Sequence, residues 1–189
     1  MKNFKILAIA LTVTLSFSSC DKDDDNTVIN EEELITTVTT TLSIGDQIVT
    51  LTSRDLDGDG PGQPEVTVSG PLSANTTYLG MVQFLNEAKI PVEDITQEVA
   101  EEGEDHQVFY RAPAAIGAFG YTGTDNDDNG KPIGLRFTLQ TGATGGSGII
   151  TVTLRHLPNK SASGVADGDI TNAQGATDAE VMYPVTIAD

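Results

Sequence analysis

The chain has 189 residues, 28 of them acidic and 10 basic, for a formal charge of −18. So negative a surface repels nucleic acid and anionic head groups and attracts cations and basic surfaces. A single cysteine excludes an internal disulfide, and with no tryptophan and 5% aromatics little is left for a sugar-stacking platform.

The first twenty residues read as an export signal. Lys2 and Lys5 precede an apolar run from Ile6 to Leu15, interrupted only by threonines, and Phe17, Ser18, Ser19 and Cys20 follow. A charged start, a short apolar stretch and small residues are the marks of a secretory signal. The run is too short to span a bilayer, which takes about 20 apolar residues. The ending resembles a bacterial lipobox, with Phe17 where leucine is usual. This implies cleavage before Cys20 and a lipid on that cysteine, holding the protein to a bilayer. The competing reading is an ordinary signal peptide with a chance cysteine. Cleavage removes Lys2 and Lys5 and no acid, leaving 8 basic and 28 acidic residues and a charge of −20.

Asp21-Lys22-Asp23-Asp24-Asp25 follows, too charged to fold, and residues 20–33 read as a solvated tether. The acidic run resembles the export signal of Bacteroidota surface lipoproteins. The resemblance implies an outer-membrane lipoprotein displayed on the cell surface; the periplasmic face, or a tether with no sorting role, is the alternative.

Residues 34–189 read as one β-domain. Leu34 to Leu42 is rich in β-branched residues and is joined by Gly45-Asp46 to Gln47–Leu51, a hairpin pattern. Short strands are expected at 65–68, 77–85 and 107–110. The clearest alternation places Ile133, Leu135, Phe137 and Leu139 on one face, then Ile150, Val152 and Leu154, then Val181, Tyr183, Val185 and Ile187. Pro184 points the other way and implies an edge strand or a bulge. Val92, Ile95 and Val99 fall at helical spacing, predicting a short helix near 92–102, with an exposed strand as the alternative. The sum is an all-β fold, an antiparallel immunoglobulin-like β-sandwich of about eight strands.

Two loops fit the first half of a calcium loop: Asp55, Asp57 and Asp59 before Gly60, and Asp125, Asp127 and Asn129 before Gly130. Alternate residues of such a loop aim oxygens inward. Val66 and Arg136 stand where an EF-hand needs its bidentate glutamate, and the flanks read as strands, so the pattern argues against an EF-hand and leaves an isolated Ca2+ loop. Hairpin turns use the same residues without a cation.

His106 follows Glu104 and Asp105 at the start of a predicted strand, and His156 ends another. If those strand ends meet, two imidazoles with Glu104 and Asp105 could bind Zn2+ or Cu2+. Ring nitrogens more than about 8 Å apart could not share one ion bound at roughly 2 Å. The plainer reading gives each histidine its own local hydrogen bond.

Enzyme signatures are lacking. Gly145-Gly146-Ser147-Gly148 is followed by Ile149 where a nucleophile elbow needs glycine, Gly130-Lys131 by Pro132 where a phosphate loop needs Ser or Thr, and no H-E-x-x-H occurs. No catalytic residue and no organic cofactor is indicated.

Leu56-Asp57-Gly58-Asp59-Gly60, Phe84-Leu85-Asn86-Glu87, Asp105 to Tyr110, and Leu154-Arg155-His156 with Pro158-Asn159-Lys160 resemble a group of small flavobacterial lipoproteins. Some members carry the label of a type 1 periplasmic binding fold. That fold alternates strands and helices about a parallel sheet, and this sequence holds at most one helix. The resemblance implies a class of protein and no chemistry. The function expected is a membrane-anchored binding module, capturing metal for a TonB-dependent outer-membrane transporter. The alternatives are a structural or adhesive surface protein with calcium-stabilised loops, and a hydrolase with a carboxylate site that the sequence does not single out.

Overall fold

The alternating stretches pair into two sheets. A computed structural model of the chain describes residues 34–58 and 61–189. The expected leader, Cys20, the expected tether to residue 33 and Asp59 lie outside the described residues. The chain opens with β1 (Thr37–Ile44) and β2 (Gln47–Arg54). They pair across Gly45-Asp46, whose glycine takes φ +53°, the positive value a two-residue hairpin turn asks of its first central position. Then come β3 (Glu65–Val68), β4 (Leu72–Ser73), β5 (Thr77–Asn86), β6 (Glu93–Asp94) and α1 (Ile95–Glu101). The rest are β7 (His106–Arg111), β8 (Gly117–Tyr121), β9 (Arg136–Thr141), β10 (Gly146–His156) and β11 (Ala176–Ala188).

The larger sheet runs β3-β2-β1-β5-β9-β8, with β6 on β5, and the smaller β4-β11-β10-β7. Every pairing is antiparallel except β4 with β11. The facing sides share one core. Leu42, Leu51, Phe84, Phe137 and Leu139 from one sheet meet Val108, Ile150, Leu154 and Tyr183 from the other. Each such side chain contributes about 1.5–3 kcal/mol through burial. Two buried tyrosine hydroxyls are satisfied across the sandwich, Tyr183 donating to the Val38 carbonyl at 2.8 Å and Tyr110 to that of Gly134 at 2.7 Å.

The expected all-β antiparallel sandwich is therefore present, with eleven strands among the described residues against about eight expected from the strand pattern. The additions are β4 and β6, two residues each, and β8, whose Gly-Ala-Phe-Gly-Tyr lacks β-branched residues. The helix starts at Ile95, where Asp94 caps it through the Thr96 N–H, and only Ile95 and Val99 are buried. Val92 lies outside it and is exposed. One seven-residue α-helix among the described residues gives none of the strand–helix alternation of a periplasmic binding fold.

Along Pro184, β11 pairs only with β10, because β4 reaches it only at Ile187 and Ala188. The missing N–H thus falls on an edge, as the sequence implied. The register also shifts once: Leu154 pairs with Ala179 and Arg155 with Thr177, leaving Asp178 as the extra residue of a β-bulge.

Candidate metal centre

β7 and β10 run antiparallel, so the start of one lies beside the end of the other. His106 and His156, fifty residues apart in sequence, are direct register partners. His106 shares its face with Val108 and Tyr110, and His156 with Leu154 and Val152, so both point toward the space between the sheets. Their ring centroids are 4.8 Å apart and their planes 10° from parallel.

The third member comes from the bulge. In β11 the odd-numbered residues Val181, Tyr183, Val185 and Ile187 face inward, and strict alternation would send Asp178 out. A bulge re-aims one side chain, and here Asp178 and Ala179 are both partly buried. The Asp178 side chain is 4% exposed, and its Oδ2 lies 3.8 Å from His106 Nε2. Ligand atoms of His106, His156 and Asp178 all lie within 4.8 Å of one another.

The turn after α1 sets the protonation pattern. His106 Nδ1 is 3.1 Å from the Glu102 carbonyl oxygen. A carbonyl only accepts, so Nδ1 carries the hydrogen, and in the neutral ring Nε2 presents a lone pair. That lone pair faces a carboxylate oxygen too distant for a hydrogen bond. A ring that donates through one nitrogen to a carbonyl and offers the other is the usual arrangement of a metal-bound histidine. With bonds of about 2.0–2.1 Å, tetrahedral ligand atoms sit roughly 3.3–3.4 Å apart, so a movement of a few tenths of an ångström suffices here. His156 needs more. An imidazole lone pair lies in the ring plane, and two parallel rings cannot both aim at one ion, so the half-buried His156 must turn.

The turn itself is tied down. Asp105 N–H donates to Glu102 O at 2.9 Å, Leu157 N–H to Asp105 O at 2.6 Å, and Lys160 Nζ to Gly103 O. On its other side Asp178 lines a cavity of about 330 Å³, together with Ser53, Asp55 and Glu180. The Asp55 carboxyl is held above its ordinary range by its hydrogen bond with Asp57, whose own carboxyl is lowered by the same contact.

The other residues expected at sites lie elsewhere. Glu104 and Asp105 are exposed and outside the histidine group. In the first acidic loop Asp55 accepts from the Asp57 N–H at 3.3 Å and Asp57 from the Gly62 N–H at 3.1 Å. In the second, Asp125 accepts from the Arg136 N–H at 2.8 Å. Asp127 accepts from the N–H groups of Asn129 (3.0 Å) and Lys131 (2.8 Å) and from Lys160 Nζ (3.0 Å). Lys160 also donates to Pro132 O at 3.1 Å and to Gly103 O. An ammonium from the chain itself thus sits among the oxygens of the second loop, with side-chain exposures of 6% for Lys160 and 2% for Asp127. Burial, the largest single influence on Asp127, pushes its carboxyl up. The Lys131 N–H, the Lys160 ammonium and the Asn129 N–H together overrule it and hold the carboxyl below 3.8. Burial also draws the ammonium of Lys160 below its ordinary value, against the upward pull of Asp127.

Sequence reasoning missed Asp178 and Lys160. Fold and site define a class: an all-β sandwich domain carrying a His-His-Asp group at one end. Compared with protein-family models, with curated proteins and with solved structures, the chain matches none.

Proposed function

We propose that the protein is a metal-binding module that takes one divalent transition-metal ion, zinc or copper, between His106, His156 and Asp178. The observation that carries this is the setting of the His106 ring: Nδ1 lies 3.1 Å from Glu102 O, and Nε2 faces the Asp178 carboxylate at 3.8 Å. Two imidazoles and a carboxylate suit zinc and copper better than calcium. The net charge draws cations toward the domain. Three protein ligands leave a coordination position for water or for a ligand from an acceptor. Within this reading the lipid on Cys20 and the tether of residues 20–33 hold the module at the outer membrane, and a TonB-dependent transporter is the acceptor. Isothermal titration of metal-free protein with Zn2+ and with Cu2+ tests it. One ion per chain is expected, with binding lost in Asp178→Asn. Absence of uptake of either metal, or uptake indifferent to Asp178, would overturn the reading.

The cavity favours a second reading as well, because Asp55, Asp178 and Glu180 all line it. A hydrolase using those carboxylates would turn over glycoside or ester substrates and lose that activity in Asp55→Asn.

A further inference from the structure

The three ligands are held very unequally. His106 is 2% exposed, its Nδ1 is fixed by Glu102 O, and its turn is tied by Leu157 N–H and Lys160. Asp178 is 4% exposed and is carried on a bulge inside a paired strand. His156 is half-buried and is the last residue of β10. Leu157 then takes φ +51° and is 60% exposed, so the strand cannot continue. Among the described residues the His156 ring makes no hydrogen bond; its contact is the stack on His106. Stacked parallel, it cannot aim its lone pair at an ion lying in the His106 plane. A turn of the side chain about its own bonds is the movement that would re-aim it.

We infer that His156 is the exchange ligand of this site. His106 and Asp178 form the fixed pair that holds the ion, and His156 turns onto it to close the site and off it to open a coordination position. Through that position the ion passes to an acceptor that offers nitrogen or oxygen ligands of its own. The inference rests on the metal reading above and adds the order of events: the ion is captured by the buried pair and released through the half-buried ring. No bond to carbon is made or broken and no electron moves; ligands replace one another on a divalent ion.

The test uses the purified protein loaded with one equivalent of Cu2+. Electron paramagnetic resonance counts nitrogen ligands, and stopped-flow mixing with EDTA follows transfer. In the wild type two imidazole nitrogens are expected. The transfer rate should climb with EDTA concentration and then level off at the rate at which His156 leaves. His156→Ala should still bind copper, with one nitrogen fewer. Its affinity should fall by at least the roughly 10–100-fold seen when a hydrogen-bond partner behind a metal ligand is lost. Its transfer rate should show no plateau, and added imidazole should restore the second nitrogen and slow transfer again. Unchanged affinity and nitrogen count in His156→Ala would overturn the exchange role and the place of His156 among the ligands, while uptake lost in Asp178→Asn would still uphold a metal site on His106 and Asp178. Complete loss of binding that imidazole does not rescue, or a wild-type rate without a plateau, would also overturn the exchange role. A wild type that takes up no copper would sink both.

Discussion

The two ends of the turn after α1 meet the same problem in opposite ways. At Gly103 the chain brings together a carboxylate and two carbonyls and fills the space between them with the ammonium of Lys160. At Glu102, one residue earlier, the carbonyl takes the hydrogen of His106 and leaves Nε2 turned toward Asp178. The first cluster is served by an ammonium of the chain itself, in a loop that has the spacing of a calcium site. The second gathers groups that all coordinate cations. An acidic loop therefore says little about ion binding until the donors already serving it are known. The signal that matters is lone pairs facing one another within reach of a single ion.

Breaking the first cluster should produce the largest effect. Lys160→Met leaves the Asp127 carboxylate buried without its counter-charge, and stripping one partner from a buried pair costs about 3–5 kcal/mol. Urea unfolding reads this as a lowered midpoint with an unchanged slope. Adding Asp127→Asn should recover much of the loss, because no buried charge then remains uncompensated. Next comes the histidine group. Zinc at about 100 times its dissociation constant should stabilise the native state by about 2.7 kcal/mol, seen as a raised melting temperature. Asp178→Asn should remove that rise. A rise of equal size in both proteins would mean that the ion binds elsewhere.

Acid separates the clusters further. The fold holds the Asp127 carboxyl below its ordinary 3.8, so the unfolded chain takes up that proton first as the pH falls. The stabilisation from this carboxylate is complete above that value and is lost as the pH drops through the lower folded value. Melting temperature against pH should thus fall more steeply below 3.8 in the wild type than in Asp127→Asn. Parallel curves would show that the pair does not govern the acid limb. The smallest effect belongs to Glu104→Gln and Asp105→Asn. Exposed charges contribute about 0.2–1 kcal/mol, so zinc affinity should change by less than about fivefold. A larger loss by calorimetry would place these carboxylates back on the metal.

Much of the sandwich was legible because period-two alternation is local. Phe137 and Leu139, or Val181 through Ile187, declare their face within a few residues. The meeting of His106 and His156 was legible only as a condition, since each could be placed at a strand end but not beside the other. Pairing of β7 with β10 supplies that, and pairing is not local. Asp178 was hidden for a sharper reason. By alternation it belongs outside, and only a bulge defined by two strands together turns it in. Lys160 was hidden by distance, with partners 57 and 33 residues away. Strand β8 was missed because its pairing with β9 makes it a strand, while Gly-Ala-Phe-Gly-Tyr has little preference of its own.

Pro184 has a consequence for molecules held side by side. Most of β11 is a border of its sheet, and an unpaired border is a template on which a second copy can add its own strand. Such copies would zip together wherever the protein is crowded. Proline interrupts that template by removing a donor, and the bulge at Asp178 spoils the straight run on the other side of Glu180. Pro184 thus breaks the template at that edge, and its replacement by threonine or valine should be judged by the state of association rather than by stability.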